Sequence, residues 1–347
     1  MVRPAMLRHC LTTLLALAAT WAQANVGLTQ LKPVGADGPV TVFYPTAAPE
    51  QSVKRGPFEL KLAPDAPPAR GNGRLVVISH GSGGNAWVHS DLARALVNAG
   101  FVVALPRHQG DNAQDPSTPG PESWKIRPAE VSRAIDAVAA DPRFAAIVSF
   151  EQVGMYGMSA GGHTALTLAG GRWSPGQFRR HCEADIANDF ASCVGLATRL
   201  RGDFLDDLKK GLALNVIRHR FDDDTWYVHT DPRIRVIVAG VPFAADFDAA
   251  SLATPQVPLG LVTAGRDKWL VPRFHSDAIL AACAPRCELV AHLPAAGHGA
   301  LLSPPPPPHV LGEIAQDLLG DPPGFDRSVL PEVDARIVAF MRRHLLP

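Results

Sequence analysis

Short apolar runs alternate with segments of helical spacing along most of the chain. The apolar runs are rich in β-branched residues, which is typical of strands buried on both faces. They cover residues 40–45, 75–79, 101–105, 153–156, 234–239, 259–263 and 288–293. Helical spacing covers residues 91–99, 128–140, 161–169, 274–282 and 333–344. The pattern predicts an α/β fold with a mostly parallel, doubly wound sheet.

One long stretch, residues 172–232, interrupts this alternation. It is more charged than its surroundings, contains Asp222-Asp223-Asp224, and has helical spacing near residues 204–214. Because it falls between two predicted core strands, we expect an insertion in a single domain of residues 25–347. We predict that this insertion forms a helical cap over the functional site.

The first 24 residues have the pattern of a secretory signal peptide. Arg3 and Arg8 precede a short apolar run at residues 11–19, and Ala22-Gln23-Ala24 follows as a small-x-small cleavage site. An N-terminal membrane anchor is the alternative, but the run is too short to cross a bilayer core of about 30 Å as a helix. We therefore expect cleavage after Ala24, a secreted or periplasmic protein, and no membrane span.

The charge balance makes nucleic acid an unexpected partner. Lys plus Arg equals Asp plus Glu at 33 each, so the chain has no net charge that would attract a polyanion.

The cysteines predict disulfides and no metal site. An even number of cysteines remains after the signal peptide, which favours two disulfides in an exported chain. We expect the local pairs Cys182–Cys193 and Cys283–Cys287; a Cys182–Cys283 pairing and four free thiols are the alternatives. Neither pair has zinc-site spacing, so we expect no metal.

A candidate nucleophile lies between a predicted strand and a predicted helix. In Gly157-Met158-Ser159-Ala160-Gly161 the serine occupies a tight strand-to-helix turn, the context that a nucleophile elbow requires. To act as a nucleophile, a serine needs a base and a group that orients the base. When the serine lies in a nucleophile elbow, both of these residues follow it in the chain.

The candidate acid and base come directly after later strands. Asp267, in Gly-Arg-Asp, and His298, in Gly-His-Gly, follow the strands at 259–263 and 288–293, and carboxyl ends of parallel strands are where sites of such sheets form. Asp246 competes for the role of the acid. His292 competes for that of the base, although it lies within a predicted strand.

A glycine-rich loop, His80-Gly81-Ser82-Gly83-Gly84, follows the strand at 75–79. We expect an oxyanion hole formed by the backbone N–H groups of Ser82 and Ala160. A phosphate-binding loop is the rival interpretation, but the Gly-Lys-Ser/Thr ending is missing. We expect His80 to brace the loop or, less directly, to contact substrate; Trp269, near Asp267, is a second candidate substrate contact.

Together these residues resemble the dienelactone hydrolase-like group of the α/β-hydrolase superfamily, in particular the exported branch grouped with platelet-activating-factor acetylhydrolases. The most specific motifs are Ser79-His80-Gly81-Ser82-Gly83-Gly84 and Gly157-Met158-Ser159-Ala160-Gly161-Gly162-His163. The resemblance implies an α/β-hydrolase fold and cofactor-free hydrolysis of carboxylic esters. Dienelactone hydrolases use cysteine where this chain has Ser159, which points to ordinary esters. The acetylhydrolases often take their acid from the preceding loop, which would favour Asp246.

We therefore expect a serine hydrolase that cleaves small or lipid-like carboxylic esters through an acyl-enzyme, acts as a monomer and needs no cofactor. A serine peptidase or amidase on the same triad is the second interpretation, because fold and triad do not select the leaving group. A non-catalytic binding protein that keeps the fold is the third.

Overall fold

The computed structural model describes residues 25–33, 35 and 37–347, so the predicted signal peptide lies outside the described residues. The strands are β1 (Asn25–Leu31), β2 (Val40–Thr46), β3 (Gln51–Arg55), β4 (Phe58–Pro64), β5 (Arg74–Ser79), β6 (Val102–Pro106), β7 (Ser149–Met158), β8 (Arg172–Trp173), β9 (Ile234–Gly240), β10 (Phe247–Asp248), β11 (Leu259–Ala264) and β12 (Cys287–Leu293). The α-helices are α1 (Ser90–Asn98), α2 (Pro121–Ala140), α3 (Pro142–Ala145), α4 (Ala160–Leu168), α5 (Pro175–Asp185), α6 (Phe190–Val194), α7 (Asp206–Arg220), α8 (Ser276–Cys283), α9 (Glu313–Leu319) and α10 (Leu330–Leu345).

Ten of these strands form one central sheet in the order β12-β11-β9-β7-β5-β6-β2-β1-β4-β3. The six strands from β12 to β6 are parallel to one another, whereas β2 pairs antiparallel with both β6 and β1. The chain passes from β5 to β6 on one side and then returns to place β7 on the other side of β5. A crevice therefore opens beyond the carboxyl ends of β5 and β7, the position at which open α/β sheets bind ligands.

Helices cover both faces of the sheet. In β5, Leu75 and Val77 belong to the apolar cluster under α2 and α4, whereas Val76 and Ile78 belong to the cluster under α1 and α10. Successive side chains of a strand point to opposite faces, so a strand buried on both faces must be apolar throughout. The mostly parallel α/β architecture with helices on both sides is thus confirmed.

The structure changes some of the expected boundaries. Helix α2 begins two turns before the predicted start, at Pro121, and continues through Pro128. An internal proline removes one helical hydrogen bond and costs about 3 kcal/mol; burial of the apolar ring of Trp124 on the first turns helps to offset that cost. Strands β1, β3 and β4, which add an edge to the parallel part of the sheet, were not predicted.

The segment 172–232 lies between α4 and β9 and contains β8 and helices α5, α6 and α7. We call it the insertion segment. Both disulfides have the predicted pairing: Cys182 and Cys193 join α5 to α6 within the insertion segment, and Cys283 and Cys287 join the end of α8 to the start of β12. Within the ranges described above, no helix is long and apolar enough to cross a bilayer.

Candidate functional site

Ser159 occupies the turn between the last residue of β7 and the first residue of α4. Its backbone has φ 58° and ψ −118°, a conformation that is sterically costly for a residue with a side chain. The turn is so tight that a Cβ at Gly157 would lie 1.9 Å from the carbonyl oxygen of Gly161, and one at Gly161 would lie 2.0 Å from that of Ser79. Glycine is therefore required at both positions. The strain, on the order of 1–3 kcal/mol, is of the kind that concentrates at functional sites.

A chain of hydrogen bonds connects Ser159, His298 and Asp267. Ser159 Oγ lies 2.9 Å from His298 Nε2, and His298 Nδ1 lies 2.7 Å from Asp267 Oδ2. Both the imidazole and the carboxylate are almost fully buried, whereas Ser159 is partly exposed. If the carboxylate accepts the Nδ1 proton, Nε2 is left as the acceptor that faces the serine hydroxyl.

The loop after β11 holds the carboxylate of Asp267 from its other side. Asp267 Oδ1 accepts hydrogen bonds from the backbone N–H groups of Trp269, at 2.9 Å, and Leu270, at 2.8 Å. With one oxygen bound to the loop and the other to the imidazole, the carboxylate is fixed in orientation. The imidazole of His298 is in turn fixed, and the ring of Trp269 lies 5.2 Å from it.

The two competing residues have other partners. Asp246, fully buried after β9, has Oδ2 2.9 Å from Nε2 of His163 in α4. His292 is exposed on β12, and its Nδ1 lies 2.7 Å from the hydroxyl of Thr263. Of the two aspartates, it is Asp267 that the structure brings to His298 and Ser159.

The glycine-rich loop after β5 lies against the serine. A Cβ built on Gly81 would be 3.3 Å from Cβ of Ser159, so the loop backbone passes directly beside the side chain. The backbone N–H groups of Ser82 and Ala160 make no hydrogen bond within the described part of the chain, and both residues line the same cavity as Ser159. Ala160 is also the first residue of α4, and a helix N-terminus favours negative charge.

A buried ion pair beneath this loop was not predicted from the sequence. Arg127 of α2 donates to the carbonyl oxygen of His80 at 2.6 Å and to Asp111 Oδ2 at 2.8 Å. Asp111 Oδ1 accepts from the hydroxyl of Ser82 at 2.6 Å and from the N–H of Gly83 at 2.9 Å. Burial raises the pKa of Asp111, but the guanidinium of Arg127 and these hydrogen bonds together hold it below its usual value. The ion pair thus fixes the conformation of the glycine-rich loop.

Two histidines complete this support. His108 joins the hydroxyl of Ser79, 2.7 Å from its Nε2, to Glu130, 2.6 Å from its Nδ1. His80 is buried, and its Nδ1 donates to the carbonyl oxygen of Gly81 at 2.8 Å, so its ring braces the loop from within. Burial lowers the pKa of both imidazoles well below the usual value, and the nearby Arg127 lowers it further.

A signal for these residues exists in the sequence. Arg127 and Glu130 lie three residues apart on the face of α2 that also carries Val131 and Ala134. Charged residues on the buried face of a helix require partners. Because the helix was expected to begin at Pro128, Arg127 fell outside it and this signal was missed.

A cavity of about 730 Å³ opens above Ser159, between the insertion segment and the ends of the strands. Its walls are mostly apolar. Two tryptophans, Trp124 and Trp269, line it, together with residues of α5, α6 and α7. In the ranges that the structure covers, no group of three His, Cys, Asp or Glu side chains has an arrangement suited to a metal ion.

A scan against protein-family models found no match for this chain, and a search of curated proteins found none either.

Proposed function

We propose that this chain is a serine hydrolase of the α/β-hydrolase fold that cleaves carboxylic esters through an acyl-enzyme intermediate. The observation that carries the proposal is the hydrogen-bond chain Ser159–His298–Asp267 at the carboxyl edge of the sheet. A nucleophile, a base within 2.9 Å of it and a group that orients the base are what acyl transfer needs.

Ser159 is the nucleophile in this proposal. As its Oγ bonds to the substrate carbonyl carbon, His298 Nε2 takes the hydroxyl proton. Asp267, held by two backbone N–H groups, keeps the imidazole in the tautomer that leaves Nε2 free and stabilises the imidazolium that forms. The imidazolium then gives its proton to the leaving alcohol, and the acyl group remains on Ser159.

The developing oxyanion is bound by the backbone N–H groups of Ser82 and Ala160. A donor of this kind lowers the barrier by about 3 kcal/mol when it is aimed at the oxyanion in advance. The Arg127–Asp111 ion pair supplies that advance orientation, because Asp111 binds both the hydroxyl of Ser82 and the N–H of Gly83. Water activated by His298 then attacks the acyl-enzyme and releases the acid by the same route.

The proposal extends to family and location. The motifs at Ser79–Gly84 and Gly157–His163 support a place among the exported dienelactone hydrolase-like α/β-hydrolases. The two disulfides support a secreted or periplasmic chain, because disulfides persist in oxidising compartments.

The test uses a fluorophosphonate probe and matched substrates. We expect the probe to label the wild-type protein and the exposed-serine control Ser52→Ala, but not Ser159→Ala. We expect hydrolysis of short p-nitrophenyl esters and no cleavage of the matched anilides. Cleavage of the anilides at comparable rates would indicate an amidase or peptidase. A folded wild-type protein that neither reacts with the probe nor hydrolyses any ester would indicate a binding protein.

A further inference from the structure

Two groups of apolar side chains line the cavity above Ser159. The first group contains Ile217 of α7 and four aromatic side chains, which we call the aromatic pocket: Trp124, Phe178, Phe221 and Phe243. All five are less than 9% exposed, although they face a cavity. The second group is Trp269 and Leu270, and the ring centroids of Trp269 and His298 are 5.2 Å apart.

The aromatic pocket is built as a unit. The rings of Trp124 and Phe243 are 4.5 Å apart, and Phe178 lies 4.9 Å from Phe221 and 5.1 Å from Phe243. Phe243 also joins the pocket to the nucleophile, because its N–H donates to the carbonyl oxygen of Ser159 at 3.1 Å. The pocket therefore begins at the backbone of the serine and ends under α7.

The chemistry of the proposed reaction indicates which group of side chains contacts which part of the substrate. His298 Nε2 must give its proton to the alcohol oxygen as the ester bond breaks, so the alcohol lies on the His298 side of Ser159. The acyl group, on the other side of the carbonyl carbon, is then directed away from His298 and Trp269. We propose that the aromatic pocket is the acyl-binding site and that it selects esters of bulky, uncharged, apolar acids.

The charges around the cavity support an uncharged acyl group. The charged residues that line the cavity are Asp111, Lys209 and Arg220. Asp111 is paired with Arg127, Lys209 is 2.7 Å from Asp206, and Arg220 lies 3.4 Å from Glu122 and also donates to the carbonyl oxygen of Pro119. An acyl group with its own carboxylate would be buried among aromatic rings without a partner, which is unfavourable.

This inference rests on the proposed function, and its test is an acyl-chain series of p-nitrophenyl esters from acetate to octanoate. A buried methylene contributes about 0.8 kcal/mol, so we expect kcat/KM to rise about two- to fourfold per methylene until the pocket is full. In Ile217→Phe the added ring fills the pocket, and we expect the ratio of octanoate to acetate turnover to fall about tenfold or more.

Two variants act as matched controls. Leu208→Ala changes an exposed residue of α7, and we expect the wild-type chain-length profile. Trp269→Ala changes the side chain beside His298, where the proposal places the alcohol, so we expect the acyl-chain ratio to stay at the wild-type value while turnover of acetates of bulky alcohols falls.

A wild-type profile that is flat or falls with chain length would overturn the assignment, as would an acyl-chain ratio that changes in Trp269→Ala and not in Ile217→Phe. A hexanedioate monoester turned over as fast as hexanoate would overturn the preference for uncharged acids. Probe labelling of Ser159 and acetate turnover test the proposed function separately, and both remain if the acyl assignment alone is wrong.

Discussion

Two buried aspartates follow neighbouring parallel strands, and each is hydrogen bonded to a different histidine. Asp246 pairs with His163 in a surrounding of aromatic rings, where one nitrogen of His163 and one oxygen of Asp246 have no partner among the described residues. Asp267 pairs with His298 and uses both of its oxygens. The first pair supports the helix that begins at the serine; the second reaches the serine hydroxyl.

The substitutions Asp267→Asn and Asp246→Asn separate these two roles. We expect Asp267→Asn to lower kcat on the order of 10⁴-fold, because an amide no longer fixes the tautomer in which Nε2 accepts the serine proton. We expect Asp246→Asn to keep kcat within about tenfold of the wild type and to lower the free energy of unfolding by about 1–3 kcal/mol, since its buried hydrogen bond to His163 is weakened. Steady-state kinetics and urea unfolding of both variants measure this. The reverse pattern would assign the acid to Asp246.

At the scale of secondary-structure elements, the sequence predicted the strands that are buried on both faces of the sheet. The four inner positions of β5, residues 75–78, are all apolar and buried, so the location of such a strand can be read directly from the sequence. The edge strands β3 and β4 are half exposed and alternate, which is a weaker signal over a few residues. The loops after β11 and β12 could be assigned to the candidate site from the sequence. The choice between Asp246 and Asp267 required the three-dimensional structure, because in the sequence each of them follows a strand.

The two disulfides offer a comparison between elements. Cys182–Cys193 closes a loop with a sequence separation of 11, and Cys193 lines the cavity above Ser159. Cys283–Cys287 closes a loop with a separation of 4 and lies away from the cavity. On loop-closure entropy the first contributes about 3 kcal/mol and the second about 2 kcal/mol. The two disulfides therefore make similar contributions to the stability of the folded protein, but only the first lies at the cavity.

We expect paired Cys→Ala substitution at 182 and 193 to lower the free energy of unfolding and also to flatten the acyl-chain profile, because α6 is no longer tied to α5. Paired substitution at 283 and 287 should lower stability by about 2 kcal/mol and leave the acyl-chain profile unchanged. Thermal unfolding and the p-nitrophenyl ester series provide the two readouts. An equal change of profile in both variants would mean that the first disulfide does not shape the cavity.

For the whole molecule, two titratable groups change stability with pH in opposite directions: the partly buried Asp334 and the buried His89. Burial raises the pKa of Asp334 in α10 to about 7, and the like charge of Asp91 adds to the shift. Because this pKa is higher in the folded than in the unfolded protein, the protonated carboxyl of Asp334 favours the folded state. Its contribution to the free energy of unfolding is fully present below the unfolded pKa of about 4 and is lost as the pH rises to about 7. Burial lowers the pKa of His89 to about 4, so its contribution is present above about 6.5 and is lost as the pH falls to about 4. Between pH 4 and 7 the two slopes oppose each other.

Asp334→Asn removes the contribution of Asp334 to the change of stability with pH and leaves that of His89. At pH 4, where Asp334 is protonated, we expect the variant and the wild type to have similar free energies of unfolding. At pH 8 we expect the variant to be more stable by on the order of 2–4 kcal/mol, because no partly buried carboxylate must ionise. Its stability should therefore rise from pH 4 to 7, following His89, while that of the wild type changes little. Urea unfolding across this range is the measurement, with Glu332→Gln, an exposed carboxylate on the same helix, as the control that should follow the wild type. A variant whose stability parallels the wild type at every pH would show that Asp334 ionises in the folded protein without cost.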